Sequence, residues 1–155
     1  MAGTSFGTIF NLLMVTIRDY KIDALFDATD LTNFENFMTG FLTKAIPKFT
    51  NCQYTLEDHV DFDDQEFDIT LTLTEQVILS DLLVIEWMMS KILDVTQMQL
   101  HLNDTDFKHY AESQNLTAKI NTKEILREVV NQDMQNYGIG KIPWSEWAGG
   151  NFFGT

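Results

Sequence analysis

The residues that could do chemistry crowd into one stretch. Between Cys52 and Asp68 the chain carries Glu57, Asp58, Asp61, Asp63, Asp64, Glu66 and Asp68 with no Lys or Arg among them. Carboxylates at such spacing suggest a calcium loop, which needs Asp-x-Asp-x-Asp-Gly and a Glu at the twelfth place. Counted from Asp61, the sixth position is Glu66, where the tight turn needs Gly, and the twelfth is Thr72. The stretch therefore reads as a solvated acidic connection, with Asp61, Asp63, Asp64 and Glu66 as its surface residues. Other reactive types are isolated. His101 and His109 have no Cys or carboxylate at ligand spacing, and the lone Cys52 cannot form an intrachain disulfide. No Ser or Cys stands in a nucleophile motif, no glycine-rich loop opens a helix, and neither H-E-x-x-H nor C-x-x-C occurs. The expectation is a protein that is not an enzyme and has no catalytic residue, metal or cofactor.

The element that must organise the chain is the apolar run from Thr72 to Val95. Thr72 and Glu75 have the T-x-x-E spacing of a capping box, which satisfies amides at a helix start. Ile78, Leu82, Ile85, Met89 and Ile92 then recur at helical spacing. A second apolar row, Leu79, Leu83 and Trp87, lies among Glu75, Ser80, Glu86, Ser90 and Lys91. A helix apolar on two sides is wrapped by its own domain or by another chain. Leu79, Leu83 and Trp87 are thus candidates for either core or a subunit contact. The polar breaks exclude a membrane span.

Around it, Phe6, Ile9, Phe10, Leu13 and Ile17 predict a helix from about Ser5 to Tyr20, with Thr4-Ser5 as cap. Leu25 and Phe26 anchor a turn-like segment after it. Thr32 and Glu35 repeat the capping box, and Phe34, Phe37, Met38, Phe41, Leu42, Ala45 and Ile46 predict a second helix that Pro47 ends. Phe67, Ile69 and Leu71 alternate as in a short strand or extended arm, and so do Met98, Leu100 and Leu102. Asp104 or Thr105 could cap a turn of helix holding Phe107 and Tyr110. Leu116, Ile120, Leu126, Val129, Val130, Met134 and Tyr137 predict a last helix over 115–137, closed by Gly138. The fold expected is all-α: a compact bundle of about four main helices, with an extended acidic connection. Residues 1–137 form that domain and 138–155 an extended Gly-rich, aromatic arm. In the arm Ile142, Trp144, Trp147, Phe152 and Phe153 need a surface to cover, either their own domain or a partner.

At 155 residues the chain is one domain's length, and its net charge of −13 repels nucleic acid and anionic lipid. The first residues lack positive charge, so no signal peptide is expected.

Three segments carry a resemblance. DYKIDALF followed by LTKAIPKFTNC, then LTEQVILSDLLVIEWMMSKILDVTQMQLHL, then DFKHYAESQNLTAKINTKEILREVVNQDMQNY resemble, in order and spacing, the small connector (adaptor or neck) proteins of tailed bacteriophages that infect Gram-positive hosts. The likeness runs from about Val15 to Tyr137. It implies a mostly helical virion protein in a homo-oligomeric ring, with twelve copies expected, beneath the portal protein and above tail or further neck proteins. The ring would assemble in the host cytoplasm, contact no membrane and let DNA pass without specific binding. An acidic segment facing that channel would repel phosphate. The alternative of another class is an acidic helical DNA mimic that inhibits a host protein.

Overall fold

The computed structural model describes residues 3–17, 32–101 and 106–144. Four helices dominate it: α1 (Phe6–Thr16), α2 (Thr32–Ala45), α3 (Leu73–His101) and α4 (Asp106–Gly140). Three two-residue strands, β1 (Thr4–Ser5), β2 (Val60–Asp61) and β3 (Glu66–Phe67), form a small antiparallel sheet in the order β1-β3-β2. The expected mostly helical bundle is what forms.

The capping box opens α3 as its spacing requires. The Thr72 amide donates to Glu75 Oε2 at 2.6 Å, and the Glu75 amide donates back to Thr72 Oγ1 at 3.4 Å. Helices α1, α2 and α4 all pack against α3, so much of its two apolar rows is covered within one chain, with Met89 left 39% exposed. Ile78, Leu82 and Ile85 are buried, and Leu79 and Leu83 retain 0% exposure. Leu79 and Leu83 are therefore core and not a subunit contact, because the helices packed around α3 leave neither any exposed surface.

The sheet pins the chain's start to the middle of its length. Thr4 pairs with Phe67 and Ser5 with Glu66, while Thr4 Oγ1 accepts the Leu71 amide at 2.8 Å inside the core. The approach is close enough to require glycine: a Cβ on Gly3 would stand 2.3 Å from the Phe67 carbonyl oxygen. Ser5 then caps α1, its hydroxyl accepting the Gly7 amide at 3.2 Å. Phe6, now committed to the core, stacks edge-on with Phe10, Phe62 and Phe67.

Several ends differ from the sequence expectation. Helix α1 stops at Thr16, where Ile17 turns extended, and not at Tyr20; Leu25 and Phe26 lie outside the described residues. Pro47 ends α2 at Ala45 but continues the chain into a 3-10 turn, Ile46–Lys48. The acidic connection is more ordered than expected, with a second 3-10 turn at Leu56–His59 and the β2–β3 hairpin. Helix α3 continues through Met98 and Leu100 to His101, since a five-residue alternation cannot outweigh the helix preference of Gln, Met and Leu. Helix α4 is continuous from Asp106 and passes through Gly138. Glycine ends a helix by taking positive φ, and no described glycine does so.

Because Leu83 is sealed in the core, Leu83→Ala should lower unfolding free energy by about 2–5 kcal/mol, measured by urea denaturation followed by circular dichroism. Leu83→Asp should leave no cooperative transition at all. A Leu83→Asp protein that melts like the wild type would return this row to the surface.

Candidate functional site

The residues expected to act fall at separate places on the molecule. Asp61, Asp63, Asp64 and Glu66 belong to the β2–β3 hairpin, three of them exposed and Glu66 half-buried within β3. The turn is shaped by its own aspartate: Asp61 Oδ1 accepts the amides of Asp63 at 2.9 Å and Asp64 at 3.1 Å, and Gln65 follows at φ 54°. Gln65 Nε2 donates to Asn36 Oδ1 of α2 at 3.2 Å, which ties the tip to the body. Phe62, at the tip, stays 44% exposed. Among the described residues, no three or more His, Cys, Asp or Glu side chains are placed to hold a metal ion.

Of the second α3 row, only Trp87 keeps some surface. Its ring packs against the core edge with Lys91 Nζ 5.2 Å from its centroid, and its buried Nε1–H finds no acceptor among the described residues. In the arm, Lys141 and Ile142 donate their amides back to Gly138 and Ile139, closing α4 with a tightened turn. Ile142 and Trp144 are exposed, and the Trp144 indole donates to the Ile139 carbonyl at 3.3 Å. Trp147, Phe152 and Phe153 lie outside the described residues.

Two features were missed by the sequence reading. The first is the outer side of α4. Val130, Met134 and Tyr137 are buried, but Val129 and Ile120, expected beside them, are exposed; neighbouring residues of a helix point about 100° apart and cannot share one contact line. Ile125, Val129 and Ile139 instead form a strip turned away from the core, the first 63% exposed. Between them lie Gln132 and Asn136, uncharged and bonded to each other at 3.2 Å. The signal was present as surplus apolar residues off the main row. The second feature is a groove of about 530 Å³ where the Ile46–Lys48 turn, α3 and α4 meet, holding Lys48, Lys123 and Arg127 with Glu86.

A buried polar cluster joins the start of α3 to the end of α4. Glu75 has no exposed surface, and its other carboxylate oxygen accepts the Tyr137 hydroxyl of α4. Burial, and then the hydrogen bond to Glu75, pushes the Tyr137 phenol well above its ordinary value of 10.0. Burial likewise raises the Cys52 thiol above 9.0, with the nearby Glu75 charge adding to the effect. A thiol held protonated at neutral pH is a poor nucleophile. No helix among the described residues is long and apolar enough to cross a membrane. No protein-family model, curated protein or solved structure matches the chain.

The Tyr137 phenol carries a definite pH signature. Its folded value is raised, so the stability it supplies is complete below about pH 10 and is lost as pH climbs above that. Tyr137→Phe should cost about 1–3 kcal/mol at pH 7 by stranding a buried carboxylate oxygen. It should also flatten the alkaline fall in melting temperature. Equal alkaline slopes in both proteins would show that the bond does not exist in solution.

Proposed function

We propose that this chain is a structural virion protein, a head–tail connector that forms a homo-oligomeric ring between the capsid portal and the tail of a tailed bacteriophage. The observation that carries the reading is the uncharged outer strip of α4. A monomer gains nothing from holding Ile125, Val129 and Ile139 in water, whereas a ring wall buries such a strip against a neighbour. Removing apolar area from water is worth about 25 cal/mol per Å². Support also comes from the order of the three resembling segments, two of which lie on α3 and α4. These helices are about 43 and 52 Å long at 1.5 Å per residue, and α1 and α2 cover only part of α3.

A ring closed by rotation joins two different patches, so each subunit must carry both halves of the contact. The α4 strip is one half, and the exposed Ile142 and Trp144 at its foot extend it. The net charge of −13 suits a ring through which DNA moves without adhering. The same charge supports the second reading, an acidic DNA mimic, whose binding would collapse in high salt.

The test mixes the purified chain with portal assemblies at low and high salt and follows co-elution by size exclusion. A connector should join the portal and keep most of its binding at high salt. Ile125→Asp with Val129→Asp should abolish joining while leaving the melting curve unchanged. Failure of the wild type to join at any salt overturns the connector reading, and binding that vanishes with salt favours the mimic.

A further inference from the structure

The groove beside α4 is anomalous in so acidic a chain. Only 10 Lys and Arg occur against 23 Asp and Glu, yet Lys48, Lys123 and Arg127 line this one groove together with a single carboxylate, Glu86. Lys48 is spoken for by Glu86. Lys123 pairs with Glu124 at 3.0 Å from outside the groove and also reaches Met89 Sδ at 3.8 Å. Arg127 is exposed and makes no ion pair among the described residues. The rim is therefore net positive, above an apolar floor that includes Ile85 and Met89.

The complementary shape is on the same molecule. The β2–β3 tip offers Asp63 and Asp64 beside the half-exposed Phe62, in a turn that Asp61 shapes and Gln65 ties to α2. The tip cannot reach its own groove. Asn36, which anchors it, precedes Pro47 at the groove edge by eleven residues, about 16 Å along α2 at 1.5 Å per residue.

We infer that the groove between the Ile46–Lys48 turn, α3 and α4 receives the acidic hairpin tip of a second copy of this chain. Phe62 keeps its edge on Phe6 and lays its exposed side over the apolar floor, and Asp63 and Asp64 meet Arg127 and Lys123 at the rim. A guanidinium takes a carboxylate through two parallel hydrogen bonds, and the turn that Asp61 already shapes lowers the ordering cost of docking. The opposing effect is the mutual repulsion of two strongly acidic chains. At physiological ionic strength charges farther apart than about 8 Å are largely screened, while pairs in contact are not. Local attraction therefore outweighs the overall charge. The contact is head-to-tail, donor tip to acceptor groove, the kind that closes into rings. It deepens the connector reading and rests on it.

Two variants test the contact by sedimentation velocity across a concentration series at physiological salt, each first checked for wild-type melting. One is Lys123→Glu with Arg127→Glu; the other is Asp63→Lys with Asp64→Lys. Because Lys123 is partly buried, Arg127→Glu alone is run in parallel as the milder change. The wild type should self-associate, and each reversed variant should do so at least about tenfold more weakly. An equimolar mixture of the two double variants should regain association, since each supplies the half the other lacks. The contact is overturned if either double variant associates like the wild type, or if the mixture behaves like its separate components. In those cases association itself survives and the connector reading stands. A wild type that remains monomeric throughout and also fails to join the portal overturns both.

Discussion

Glu75 lies with no exposed surface at the head of α3, and a carboxylate is tolerable there only because hydrogen-bond donors reach it from two directions. The Thr72 amide and hydroxyl occupy one oxygen, and the Tyr137 hydroxyl occupies the other. The first pair sets where α3 begins. The second sets how far along α3 the last helix must dock, because Tyr137 cannot slide by a turn without stranding the oxygen. Phe49 stacks on the same tyrosine at 5.5 Å, and Asn51 donates to the Met134 carbonyl at 3.3 Å. Thus the segment after α2 is fixed by the same cluster.

A polar cluster chooses one arrangement where apolar packing would accept several. Ile78, Leu79, Leu82 and Leu83 would bury well against helices in more than one register, since dispersion and hydrophobic transfer carry little direction. A carboxylate with counted lone pairs does not have that freedom. A like-charge contact acts in the opposite sense a little further on. Burial and the neighbouring Asp133 of α4 raise the Asp81 carboxyl above its usual range. The junction of α3 and α4 is accordingly tight at Tyr137 and under electrostatic tension one turn in.

Much of this was legible in the sequence for local reasons. The T-x-x-E spacing of Thr72 and Glu75 states its own geometry, and the period of Phe34, Met38 and Leu42 can only be a helix face. What escaped was non-local. The alternation of Phe67, Ile69 and Leu71 signalled extended chain there, but the pairing of Thr4 with Phe67 joins two-residue strands far apart in the chain and could not be read from it. The row of Leu79 and Leu83 was found correctly, but a row does not name its partner, and the helices of its own chain turned out to be that partner. Val129 and Val130 looked equivalent because they are adjacent; on a helix adjacency separates them. The cationic groove was invisible because Lys48 and Arg127 are far apart in the chain and meet only through packing.

The pairing of β1 with β3 also has a consequence in time. Thr4 leaves the ribosome well before its partners, Phe67 and the Leu71 amide, which come more than sixty positions later. Helices α1 and α2 present Phe6, Phe10, Phe34 and Met38 to a core whose central helix has not yet been synthesised. Chains emerge from the N-terminus, and closing so long a loop costs entropy before any contact repays it. The early half of the molecule therefore waits with its aromatic face uncovered. The α3–α4 pair, joined by a short connection, can assemble within itself. The core face of α1 and α2 can be completed only once the central helix is present.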